Sequence, residues 1–246
     1  MPINILFEDQ FLLVIDKPAG IIVNRAESVK EPTIQDWAEK KIEAQSLKFT
    51  VEKNDFINRT GIVHRLDKET SGCLIIAKDP DTFSQLQQAF KDRLVKKTYI
   101  ALVHGNLVPE TGEIKAPVGR LPWNRERFGI VPGGKEAATK YKRIKNYELR
   151  IKNKKEILSL VELYPESGRT HQIRVHLKYI NHPIVGDYLY AGRKTQRADR
   201  MWCPRVFLHA AKIAFNHPQT KQELTVESPL PLELTQVLEA VEKTRT

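Results

Sequence analysis

Gly61-Ile62-Val63-His64-Arg65-Leu66-Asp67-Lys68-Glu69-Thr70-Ser71-Gly72 is a dense polar stretch set between two short apolar runs, residues 62–63 and 73–77. Both runs are of strand type, so the polar residues occupy a loop at strand ends, where side chains can be held rigidly. Asp67 has cations on either side of it and is expected to be ionised; a carboxylate so placed can serve as nucleophile, base or charge stabiliser. The plainer alternative is that Asp67, Thr70 and Ser71 only close turns through side chain to backbone hydrogen bonds.

Working outward, residues 3–7 and 11–15 are short apolar strands, and Lys17-Pro18-Ala19-Gly20 is a turn leading into residues 21–23. Thr33-Ile34-Gln35-Asp36 resembles a capping box, followed by a stripe of Ile34, Trp37, Ala38 and Ile42. Residues 46–59 are irregular and polar. Asp79-Pro80 places an N-cap before a proline at the first helical position and predicts a helix to about Phe90. Residues 98–103, 138–144 and 157–163 read as strands, and the Pro/Gly-rich segment holding Arg120, Arg125 and Arg127 as a connection. Thr170 is expected to cap a helix running to Ile180, with Ile173, Leu177 and Ile180 on one face and a basic row of His171, Arg174 and Lys178 on another. Leu232, Leu234, Val237, Leu238 and Val241 form a closing amphipathic helix. Strands and helices without regular alternation predict an α+β fold with a mixed, largely antiparallel sheet and flanking helices.

The 246 residues carry 40 Lys and Arg against 30 Asp and Glu, a net charge of +10. Residues 91–155 hold 17 basic and 6 acidic side chains, whereas the other 181 residues together are nearly neutral. A local positive field of this kind suits a polyanion such as nucleic acid; a solvated basic face is the alternative. With 41% hydrophobic and 28% charged residues the chain is globular in composition. No apolar run reaches the roughly 18 residues of a membrane span, and the N-terminus has no basic leader, so neither membrane nor export is expected. Cys73 and Cys203 are too few for a disulfide framework, which points to the cytoplasm. There is no internal repeat and no obvious linker.

Two motifs fail. Gly129-Ile130-Val131-Pro132-Gly133-Gly134-Lys135 has the spacing of a phosphate-binding loop, but Glu136 stands where Ser or Thr should reach magnesium, and a strand-like stretch follows. His171, His176 and His182 lack the i, i+4 spacing of a helical zinc pair. No metal site and no nucleotide cofactor are expected.

His64-Arg65-Leu66-Asp67 with Thr70-Ser71-Gly72 and Ala77-Lys78, and Gly168-Arg169-Thr170-His171-Gln172-Ile173-Arg174-Val175-His176-Leu177, resemble the signatures of RluA-type pseudouridine synthases. Lys17-Pro18-Ala19-Gly20, Lys97-Thr98-Tyr99, His182-Pro183-Ile184-Val185-Gly186-Asp187 and Leu208-His209-Ala210 agree in order and spacing, so the resemblance covers nearly the whole chain. It implies the pseudouridine synthase fold with an active site in a central cleft, and an isomerase that converts uridine to pseudouridine in ribosomal or transfer RNA without a cofactor.

The resemblance also implies roles. Asp67 would be the catalytic aspartate, attacking C1′ or removing a ribose proton. Tyr99 would stack on the target base and is a candidate for proton transfer. Arg174 would pair with the aspartate, and Arg65 would enter the space left by the flipped base. His64, Arg169, Thr170, His171 and Gln172 would complete the substrate contacts. Flipping is required because C1′ and C5 are unreachable inside stacked RNA. Residues 1–246 are expected to form a single catalytic domain without an N-terminal S4 module, and to be monomeric. Two departures, a long region at residues 42–59 and an extra residue in Gly186-Asp187-Tyr188-Leu189-Tyr190-Ala191-Gly192, bear on RNA choice and not on the catalytic set.

Overall fold

The computed structural model describes residues 3–27, 29–43, 55–151 and 154–243. The chain forms two compact units, one from the chain up to Lys96 together with Ala210–Pro229, the other from Lys97–His209 and the chain from Leu230 onward.

In the first unit β1 (Asn4–Glu8) pairs antiparallel with β2 (Leu12–Lys17), and β2 with β3 (Ser71–Ala77). All seven residues of β3 are buried, so it reads as an unbroken apolar run rather than an alternating one. Two later strands complete this sheet: β10 (Leu208–Asn216), which enters the unit at Ala210, lies beside β3 and pairs antiparallel with β11 (Glu223–Glu227). Helix α1 (Ile34–Glu43) opens on the expected capping box: the Thr33 amide and hydroxyl both donate to Asp36 Oδ2 at 2.7 Å, and the Asp36 amide donates back to Thr33 Oγ1 at 3.2 Å. The short helix α2 (Asp55–Arg59) lies in a stretch read from sequence as irregular; residues 44–54, most of the long region noted there, are outside the described residues. Helix α3 (Pro80–Lys91) is capped by Asp79, whose Oδ1 accepts the Thr82 amide at 2.8 Å, and it buries Phe83 and Leu86 in a core with Leu12, Val14, Ile75 and Phe215.

The second unit is built on β4 (Lys96–His104), β9 (Lys154–Pro165), β8 (Ala138–Ile151) and β5 (Thr111–Lys115), adjacent in that order and antiparallel throughout. A separate hairpin joins β6 (Val118–Leu121) to β7 (Asn124–Ile130). Strands β5, β6 and β7 replace the connection read from the Pro/Gly-rich segment, because their partners supply the pairing that their own composition does not advertise. Helices α4 (Gln172–Tyr179), α5 (Arg193–Asp199) and α6 (Leu232–Lys243) flank the sheet, α6 burying Leu234, Val237 and Val241. Residues 62–63 form no strand; Ile62 makes one isolated bridge to Ile76. The class is α+β with a mostly antiparallel sheet, as the sequence predicts. Among the described residues no helix is long and apolar enough to cross a membrane.

Candidate active site

The Asp67 loop is fixed at both ends by glycines. Gly61 has φ +71°, and a Cβ there would lie 2.0 Å from the Ala77 carbonyl oxygen. Gly72 has φ +112°, and its Cβ would lie 2.2 Å from the Ala210 oxygen. No side chain fits either approach, so both positions require glycine. Between them the Thr70 amide donates to Asp67 O at 3.1 Å, closing a turn. Beneath the turn Lys17, fully buried, donates from Nζ to the carbonyls of Pro18 at 2.8 Å and Lys68 at 3.2 Å, and the Gly20 amide also donates to Lys68 O at 2.8 Å. The Lys17-Pro18-Ala19-Gly20 turn is thus the floor of the loop. Leu66, Thr70 and Ser71 are buried, Asp67 is half-buried and Arg65 is exposed. His64 Nε2 accepts the Ile75 amide at 3.0 Å, which places the proton of the neutral ring on Nδ1, and the ring stacks on Phe90 at 4.7 Å.

Tyr99 lies on β4 opposite Leu163 of β9 and is partly buried. Lys97 is two residues earlier on the same strand, hence on the same face. Burial pushes its ammonium down to about 8.

Around α4 the basic row of His171, Arg174 and Lys178 is not uniformly placed. Arg174 is only 4% exposed and Asp187 is fully buried. Arg174 donates from Nε to Asp187 Oδ2 at 2.7 Å and from a terminal nitrogen to Oδ1 at 2.9 Å, a two-pronged pair of the strong, directional kind. Asp187 Oδ1 also accepts the amides of Leu189 at 3.0 Å and Tyr190 at 3.2 Å. The guanidinium lies 5.1 Å from the Tyr190 ring centre and 5.9 Å from that of Tyr188. The Tyr190 hydroxyl accepts the Phe128 amide at 3.0 Å and is 2.9 Å from His171 Nδ1. Of the predicted row, Lys178 alone is exposed.

Thr170 does not cap this helix. His171 occupies the N-cap position with φ +55° and no side-chain cap bond, and the Gln172 side chain instead anchors the preceding loop. Its Oε1 accepts the Ser167 hydroxyl at 2.7 Å and the Arg169 amide at 3.0 Å, while Nε2 donates to Ala138 O at 3.0 Å and Thr139 Oγ1 at 3.1 Å. Gln172 therefore ties the helix start to β8. Arg169 donates from Nε to Glu136 O at 3.2 Å. His176, fully buried, bridges Thr139 Oγ1 at 2.9 Å and Ala116 O at 3.0 Å, and burial pushes its imidazolium pKa down.

The second unit thus brings Arg174 and His171 into one network with Asp187 and Tyr190, with Gln172 bonded separately to Ser167, Arg169, Ala138 and Thr139; the first builds the Asp67 loop. Asp187 and Tyr190 have no role in the sequence reading, although both stand in quoted motifs. Their signal is a buried arginine's need for a counter-charge, visible only once Arg174 is known to be buried.

In the basic stretch, Lys96, Lys115, Lys140, Lys145 and Lys155 are paired with Glu223, Glu113, Glu166, Glu242 and Glu148. Arg120 lies over the Phe128 ring at 5.3 Å. Lys135 and Lys142 are exposed. Arg125 belongs to β7, and its side chain is outside those described.

A family model described as RNA pseudouridylate synthase matches residues 11–179. The chain is 39% identical, over 98% of its length and 66% of the relative's, to the ribosomal large subunit pseudouridine synthase D of Nitrosomonas europaea. It is 36% identical to the uncharacterized RNA pseudouridine synthase YhcT of Bacillus subtilis, over 94% of this chain and 70% of that one. The chain therefore spans about two thirds of the length of these relatives. Among solved structures, human RNA pseudouridylate synthase domain containing 4 superposes with a TM-score of 0.71 at 25% identity, covering 97% of this chain and 92% of that one.

Proposed function

The chain belongs to the RNA pseudouridylate synthase family, a family of isomerases acting on RNA, and from that premise we propose that it converts uridine to pseudouridine in ribosomal or transfer RNA. The observation that carries this reading is the family match across residues 11–179, which contains Asp67, Tyr99 and Arg174 together. The name of the Nitrosomonas relative favours ribosomal RNA.

Uridine and pseudouridine are isomers, so no atoms or electrons need be supplied. The N1–C1′ bond must break, the uracil must turn while trapped, and C5 must join C1′. We assign Asp67 the first of these tasks, either by attack on C1′ or by removal of a ribose proton. Its place on a glycine-bounded turn, half-buried above a buried lysine, supports such a role, because the carboxylate is held and still reachable. Tyr99 stacks on the flipped base and exchanges a proton with it. To Arg174 we assign the fixed positive charge that orients the carboxylate, and its two bonds to Asp187 support that assignment by denying the guanidinium other rotamers. Arg65, exposed beside Asp67, fills the place of the extruded base; His64, Arg169, Thr170, His171 and Gln172 shape the surroundings. The exposed Lys135 and Lys142 contribute phosphate attraction.

The test is pseudouridine mapping on ribosomal and transfer RNA transcripts incubated with the purified protein, and on cellular RNA with and without it. Pseudouridine at defined sites of ribosomal RNA is expected. Modification confined to transfer RNA would reassign the substrate, and none in either class would overturn the proposal.

A further inference from the structure

His104 closes β4 at a point where three parts of the second unit meet. Its ring bridges Glu156 of β9, with Nδ1 2.6 Å from Oε1, and Asp199 at the end of α5, with Nε2 3.0 Å from Oδ2. Its backbone straps the segment after α4: the His104 amide donates to Pro183 O at 3.0 Å, and His182 Nδ1 donates to His104 O at 2.8 Å. The same Asp199 Oδ2 accepts the Gly186 amide at 2.9 Å. Gly186 has φ +75°, and a Cβ on it would lie 2.3 Å from the Arg205 carbonyl oxygen, so the position admits only glycine and packs directly against the Arg205 backbone. The next residue is Asp187, which holds Arg174. A continuous set of bonds therefore runs from His104 through Asp199 and Gly186 to Asp187 and Arg174.

A neutral imidazole has one donor and can satisfy only one of the two carboxylates, whereas the imidazolium donates to both. Asp199 is 3% exposed, and a carboxylate so deeply buried requires a cation beside it. We propose that His104 is a positioning residue for the reaction: as the imidazolium it holds Asp199 on the Gly186 amide and so fixes the Asp187 carboxylate that aims Arg174. The inference rests on the reading of Arg174 given above. The groups that face the His104 ring are Glu156 and Asp199, with His182 at its carbonyl and Cys203 on the Asp199 backbone, its amide donating to Asp199 O at 2.7 Å. Burial alone would pull the imidazolium pKa down, but the hydrogen bonds and negative charges of Asp199 and Glu156 outweigh it and raise it to about 9. The imidazolium is therefore the form present at neutral pH and is lost as the pH rises through about 9.

The experiment compares the wild-type protein with H104Q and D199N. Circular dichroism and thermal melts at pH 7 first establish that each variant is folded. Then kcat and KM for pseudouridine formation on one RNA are measured from pH 6 to 10. We expect H104Q to lower kcat by at least about tenfold with little change in KM. The alkaline fall of kcat should disappear in H104Q and move to lower pH in D199N, where the imidazolium has lost a counter-charge. An alkaline limb set by the RNA itself would be identical in all three proteins and would contradict the proposal, as would wild-type kcat in folded H104Q. A second measurement needs no activity: in the wild-type protein the NMR signal of the Arg174 Nε–H group should titrate together with His104. Independent titration would overturn the coupling even if pseudouridine forms. Coupled titration without pseudouridine formation would instead overturn the functional reading and leave the coupling standing.

Discussion

The loop that carries Asp67 and the helix that carries Arg174 are secured in opposite ways. Around Asp67 the fixing groups are backbone atoms, with two glycines that admit no side chain, a closing turn, and carbonyls gathered by Lys17. The Asp67 side chain itself remains partly accessible. Around Arg174 the fixing groups are side chains: Asp187 grips the guanidinium, two tyrosine rings lie near it, and Gln172 ties the helix to β8. A group that reacts must be met by substrate, so its rigidity has to come from the chain beneath it. A group that only orients charge can be enclosed, and enclosure strengthens its field.

The sharpest way to break this comparison is to remove one support from each region. Asp187→Ala leaves a buried arginine without its counter-charge and should destabilise the protein by about 3–5 kcal/mol, read from denaturant unfolding. Lys17→Met takes the ammonium from the Pro18 carbonyl and leaves Lys68 O with the Gly20 amide alone, and should cost less, about 1–3 kcal/mol for an unsatisfied buried group. A reversed order would mean that the Asp67 loop, not the Arg174 network, is the more tightly held. Next in size, Tyr99→Phe keeps the ring and loses the hydroxyl. The expected outcome is a lower kcat at unchanged RNA affinity, whereas near-normal kcat would reduce Tyr99 to packing. The smallest effects belong to the surface. R127Q and K142Q should weaken RNA binding without touching kcat, and each lost phosphate contact should flatten the salt dependence by about one unit of slope. An unchanged slope would move the RNA path away from β7 and β8.

How much of this was legible beforehand follows from the range of the interactions. The Thr33–Asp36 box and the Asp79 cap are settled within three residues and were readable as written. The Asp67 loop was readable because His64, Arg65, Asp67 and the closing glycine stand together. What escaped depends on distant partners. Lys17 can be buried because Lys68 O, 51 positions away in the chain, accepts from its ammonium. Helix α4 starts at Gln172, not after a Thr170 cap, because Gln172 finds Ala138 O, 34 positions earlier. Arg174 reads as one of a basic row because its buried partner Asp187 stands 13 positions on. Strands β5 to β7 were hidden by glycines and prolines, and β5 exists only as a partner of β8.

The most direct test of the central claim is single-turnover pseudouridine formation by Asp67→Asn, measured beside the wild-type protein on the same RNA with binding monitored in parallel. The substitution keeps the shape of the side chain and removes its charge and nucleophilicity. The account predicts no detectable pseudouridine together with RNA affinity close to that of the wild type. Pseudouridine formed at an appreciable rate by that variant would contradict it.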